Sequence, residues 1–162
     1  MEARAKILGH PIHQMLIVFP LGLLATSFFF DLAGLVTKNG QLFTVAFWMI
    51  IAGIIGGLAA AVFGLVDWLA IPSGTRAKAI GVWHGVGNVV VVVLFAASWF
   101  LRRPAPSAPA MVTIVLSAIA VGLALITGWL GGELVDRLGV GVDDGAHLDS
   151  PSSLSGRPAA ER

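Results

Sequence analysis

Seven polar residues in an otherwise apolar chain carry side chains that can do chemistry: His10, His13, Asp67, His84, Asn88, Glu133 and Asp136. Imidazole and carboxylate ligate borderline metals such as Zn and Fe, imidazole holds haem iron axially, and both groups relay protons inside membranes. The chain has no Cys, which excludes a disulfide framework, a thiolate metal site, a cysteine nucleophile and a covalently attached c-type haem. No nucleophile and base form a recognisable pair and there is no phosphate-binding loop, so an independent catalytic activity is not expected.

The spacing of these residues follows a helical period. His10 and His13 are three apart and share a face. Gly53, Gly56, Gly57, Ala60, Gly64 and Asp67 fall on one stripe at i, i+3, i+4, i+7, i+11 and i+14, so a carboxylate ends a run of small residues. Gly81, His84, Gly85 and Asn88 repeat the pattern, and Gly128, Gly132 and Asp136 continue it with Glu133 adjacent. In lipid, helices associate through close backbone contact at small residues, so each stripe is expected to face a neighbouring helix or a second protomer. Asp31 stands apart, towards the other end of its segment, and is expected to bond Thr26, Ser27 or a loop amide.

The elements that position these groups follow from composition. The chain is 57% hydrophobic and 12% charged, with a net charge of +1 and a mean hydropathy of +0.90. This makes a membrane protein and gives no reason to expect a nucleic-acid partner. Four apolar stretches, about 12–36, 42–66, 79–101 and 110–132, are each long enough to span a bilayer. The first is too long for the apolar region of a signal peptide. Pro20 is expected to kink it.

Short, turn-like links force neighbouring helices antiparallel, which predicts an all-α, integral membrane four-helix bundle of up-down-up-down topology over residues 1–137. Residues 138–162, rich in Gly, Ser, Pro and Asp, read as a disordered cytoplasmic tail. Arg4, Lys6, Arg76, Lys78 and Arg137 on one side against Lys38, Arg102 and Arg103 on the other favour cytoplasmic termini. In that bundle the seven polar residues converge on the cytoplasmic face.

Several local motifs belong together: Gly9-His10-Pro11-Ile12-His13, Asp31, Gly64-Leu65-Val66-Asp67-Trp68, Trp83-His84 with Asn88, and Gly128-Trp129-Leu130-Gly131-Gly132-Glu133-Leu134-Val135. The set resembles the bacterial membrane proteins grouped as domain of unknown function 2231, over residues 9 to about 141. The resemblance implies a multi-pass protein of the bacterial inner membrane. Some similar proteins carry a Rieske-type iron-sulfur domain on the same chain, which implies a redox context. No such domain is present here, so the redox protein would be a separate partner.

Three functional readings are open. In the first, a b-type haem lies between His13 and His84, with Gly81, Gly85 and Asn88 around it and Arg76 and Lys78 receiving propionates, in an electron-transfer subunit. The supply of His excludes a two-haem wire. In the second, His10, His13, His84, Asp67 and Glu133 hold a non-haem Zn or Fe ion. In the third, the protein is a small proton-coupled transporter or scaffold in which Asp31 and Asp136 join a proton relay.

Overall fold

The computed structural model describes residues 1–161. Four helical segments long and apolar enough to cross a membrane run Ile12–Thr37, Gly40–Ala70, Arg76–Arg102 and Met111–Arg137. They form the all-α up-down-up-down bundle expected from the sequence. The first span consists of α1 (Ile12–Leu16) and α2 (Val18–Thr37); α3 is Gly40–Ala70, α4 Arg76–Arg102 and α5 Met111–Gly132. A π-helical turn, Glu133–Arg137, extends α5. A two-stranded hairpin, β1 (Lys6–Ile7) paired antiparallel with β2 (His10–Pro11), precedes the first span.

Local chemistry sets the boundaries. Proline has no N–H to give to the carbonyl four residues back and crowds it. For Pro20 that carbonyl belongs to Leu16, where α1 ends. Asn39 Oδ1 accepts from Gln41 N at the start of α3, and Thr75 Oγ1 accepts from Lys78 N at the start of α4, satisfying N–H groups that have no partner inside the helix. The hairpin turn needs φ > 0 at both central residues: Leu8 has φ +50 and Gly9 φ +83.

The small-residue stripe of α3 packs along the first span as expected. A Cβ at Gly53 would stand 2.7 Å from Leu24, and one at Gly56 3.0 Å from Phe19. Leu24, Ile50, Ile54, Val91, Phe95 and Ala120, drawn from all four spans, form the apolar centre. The stripe read on α5 is rotated from the contact face, and on α4 Gly85 drops out of the stripe while Gly81, His84 and Asn88 keep their contacts. Gly85 and Gly128 have nothing within 4 Å of a Cβ position, whereas Gly87 meets Thr127 at 2.5 Å and Gly131 meets His84 at 3.2 Å.

Residues 138–161, part of the segment expected from composition to be a disordered tail, run as a series of turns with one 3-10 turn, Ser153–Ser155, against the N-terminal segment. Ser153 Oγ donates to the Leu8 carbonyl, and Lys6 pairs with Asp143 and Glu2. Those two carboxylates, Asp143 first, hold the Lys6 ammonium above its ordinary pKa.

At the end of the bundle away from the termini, Asp31 is not isolated. Arg102 Nη1 and Nη2 donate to its two oxygens at 2.6 and 2.7 Å, and both side chains are fully buried. Arg102 also donates through Nε to Ser98 Oγ (3.1 Å) and through Nη2 to Ser117 Oγ (3.2 Å) and the Thr113 carbonyl (3.3 Å). From the sequence Asp31 is expected to bond Thr26, Ser27 or a loop amide, or in one of three readings to join a proton relay, and Arg102 is expected at the membrane surface. The structure makes them a three-helix clamp, because a carboxylate in hydrocarbon needs an internal counter-ion. Asp31→Ala or Arg102→Ala should each destabilise the protein by about 3–5 kcal/mol, whereas an apolar pair of similar volume, Asp31→Leu with Arg102→Met, should recover most of the loss. Unfolding of the three variants in detergent checks this.

Candidate functional site

At the end of the bundle where the chain begins, two imidazoles meet. The His13 and His84 ring centres are 6.3 Å apart with their planes at 84°. His13 lies in the one-turn helix α1, placed by the Gly9 turn and by Pro11, whose extended backbone (φ −62, ψ 120) caps it. His84 lies about two turns inside α4.

Each ring is held by a neighbouring helix. His13 Nδ1 is 2.8 Å from the Ala60 carbonyl of α3, and His84 Nδ1 is 2.9 Å from the Thr127 carbonyl of α5. A carbonyl only accepts, so Nδ1 carries a proton in both rings, and in the neutral imidazole the lone pair is then on Nε2. This second-sphere arrangement orients metal-ligating histidines and sets their tautomer. Glycines make room for the rings themselves: a Cβ at Gly64 would stand 2.8 Å from His13 Nδ1, and one at Gly131 3.2 Å from His84 Cε1.

Asn88 completes the set. Its Nδ2 donates to the His84 carbonyl at 2.8 Å and lies 3.3 Å from His84 Nε2, while its Oδ1 accepts from Thr127 Oγ1 at 3.1 Å. Thr127 therefore holds His84 through its carbonyl and Asn88 through its hydroxyl. Sequence reasoning missed Thr127, although Thr113, Ser117, Ala120, Ala124 and Thr127 form a small-residue stripe of helical period on α5.

The other expected ligands lie elsewhere. Asp67 Oδ1 accepts from the backbone N–H groups of Arg4 (2.7 Å) and Ala5 (3.0 Å), tying the N-terminal segment to the end of α3. Glu133 pairs with Arg76 at 2.7 Å. His10 is exposed on β2, 3.5 Å from Ser153 Oγ, and Asp136 is exposed on the π-helical turn. Among the described residues no group of three or more His, Asp or Glu side chains could hold one metal ion. The five-residue metal cluster is thus not assembled, because its carboxylates serve the chain ends and loops.

Two more expectations are corrected. Gly81 is filled by Trp68, a Cβ there standing 2.6 Å from its ring, so it does not line the imidazoles. Lys78 Nζ lies 3.8 Å over the Trp68 ring and donates to the Trp68 carbonyl, while Trp68 Nε1 donates back to the Lys78 carbonyl. With Arg76 on Glu133, both basic residues of this loop are already engaged. Gly85, also expected at the site, is exposed with nothing within 4 Å of a Cβ position, as is Gly128.

No curated protein and no solved structure matches the chain. A family described as predicted membrane protein (DUF2231) matches residues 9–144, which include every span, both imidazoles, Asn88 and Thr127. By that match the chain belongs to the DUF2231 family of membrane proteins.

Proposed function

We propose that the protein is a redox subunit whose His13 and His84 hold one b-type haem at the cytoplasmic end of the bundle. The observation that carries this reading is the donor count. Two imidazoles on facing helices, each with Nδ1–H on a carbonyl, offer two nitrogen donors and no nearby third side chain. A structural zinc ion needs about four protein ligands, whereas a haem brings its own equatorial nitrogens and asks the protein for axial ones. The donor set therefore suits haem better than a bare Zn or Fe ion.

When bound, the group would supply one-electron chemistry, exchanged with a separate redox protein. The chain's own part is to fix two neutral imidazoles, to keep water from them with apolar helices, and to hold the helices at fixed separation through the Asp31–Arg102 clamp. A proton relay has less support, because Asp31 is locked to Arg102 and Asp136 faces outward.

Three outcomes test the reading. Protein purified in detergent from haem-replete cells should show a Soret band that shifts on reduction, and His13→Ala and His84→Ala should each remove or alter it; a colourless preparation overturns the proposal. Gly64→Ala should force the His13 ring off the Ala60 carbonyl, lowering haem content and costing about 1–3 kcal/mol. Gly22→Ala, where nothing lies within 4 Å, should change neither haem content nor thermal stability.

A separate prediction concerns the inner-membrane orientation. With Arg102 buried, positive charges near the span ends stand at Arg4, Lys6, Arg76, Lys78 and Arg137 against Lys38 and Arg103, which sharpens the bias to cytoplasmic termini. In a chain without native Cys, Lys38→Cys should react with an impermeant maleimide outside intact spheroplasts and Arg137→Cys should not. The reverse pattern would contradict the orientation.

A further inference from the structure

The turn of the N-terminal hairpin carries a residue that the fold does not ask for. Both central positions need φ > 0, which Asn-Gly supplies without strain, yet the first of them is Leu8 at φ +50. A leucine in the left-handed region is strained, and little of it is covered in return, since Leu8 is 72% exposed. Ile7 beside it is exposed as well. Leu154, 73% exposed, follows Ser153, whose hydroxyl donates to the Leu8 carbonyl and whose Cβ would stand 2.6 Å from a Cβ at Gly9. Strain with so little internal contact points to a surface outside the chain that covers the turn.

That surface is continuous with the lipid-facing side of the bundle. β2 ends at Pro11 and the first span begins at Ile12, which keeps Leu8 within about 13 Å of the span even with the chain extended. Beyond Ile12 the exposed Met15, Val18 and Phe19 carry the apolar surface on. Charge agrees with this placement. Residues 3–13 contain Arg4 and Lys6 and no carboxylate. Lys6 is engaged by Glu2 and Asp143, whereas the exposed Arg4 makes no ion pair among the described residues. Apolar side chains beside free cations are what a segment lying at an anionic membrane surface presents.

We infer that Ile7, Leu8 and Leu154 form an interfacial foot that sits among the headgroups of the adjoining leaflet, with Arg4 paired to anionic lipid. Taking the leucines out of water offsets the strain at Leu8. Asp67 ties the foot to α3 by accepting from the backbone N–H groups of Arg4 and Ala5. Through Pro11 and α1 the foot holds the segment that carries His13 at a set depth. The inference does not depend on what the two imidazoles bind.

The test uses the full chain in nanodiscs of phosphatidylcholine, with or without phosphatidylglycerol. The chain has no Cys, so Leu8→Cys and, separately, Leu154→Cys can each carry one environment-sensitive fluorophore, with Val18→Cys as the reference inside the span. Lipid spin-labelled near the headgroup should quench both foot positions, and aqueous iodide should quench them weakly. Strong iodide quenching without quenching by the labelled lipid overturns the proposal. Shielding from both quenchers means that a second copy or another protein covers the turn, and overturns it too.

Hydrogen exchange of residues 5–12 in unlabelled protein gives a second readout. Asn fits φ +50 better than Leu, so on an uncovered turn Leu8→Asn would slow exchange. With lipid over the turn it should instead speed exchange about fivefold, and slower exchange overturns the foot. Phosphatidylglycerol should slow wild-type exchange by about fivefold relative to phosphatidylcholine alone. Arg4→Gln, which keeps the backbone bond to Asp67, should lose most of that difference. Equal wild-type exchange in the two lipids, or an unchanged difference in Arg4→Gln, overturns the pairing with anionic lipid.

Discussion

A polar group inside a hydrocarbon slab must find its partner within the protein, and the interior of this bundle is arranged by that requirement. The inward stripe of α4 shows it directly: His84, Asn88, Val91, Phe95, Ser98 and Arg102 fall on one face, polar at both ends and apolar in the middle. Each end is met from other helices, by His13 and Thr127 at one and by Asp31, Thr113 and Ser117 at the other. The apolar centre, with Phe95 and Ile50 fully buried, separates the two polar clusters. Among the described residues, Trp99 Nε1 is the one fully buried side-chain nitrogen or oxygen without a partner.

The two clusters do different physical work. Asp31 and Arg102 meet in bidentate geometry with additional hydrogen bonds that offset desolvation, so they fix the relative placement of α2, α4 and α5. The histidines are each oriented by a hydrogen bond from Nδ1 to a backbone carbonyl of a neighbouring helix. A rigid clamp at one end and a pair of oriented imidazoles at the other are the arrangement the proposed cofactor site would need.

The sequence carried the architecture well, because span length, short links and the α3 stripe are direct consequences of lipid physics. The His13 and His84 pair was legible for the same reason: imidazoles inside apolar runs on helices that meet at one end have few places to go. Arg102 was misread because a cation at a span end looks like a surface anchor; only its period with Phe95 and Ser98 marks it as inward. Gly81 and Gly85 were assigned to the site because they share a face with His84, yet glycine occurs on lipid-facing and protein-facing sides alike. Asp67 and Glu133 drew attention as ligands because their partners, two backbone N–H groups of the N-terminal segment and Arg76 at the start of α4, come from other elements, where spacing along one helix gives no guidance.

The haem-to-polypeptide ratio of the wild-type protein, measured as the pyridine haemochrome after expression in haem-replete cells, is the most direct test of the central claim. The His13 and His84 pair predicts one haem b per chain. A ratio near zero in folded, monodisperse protein would contradict it.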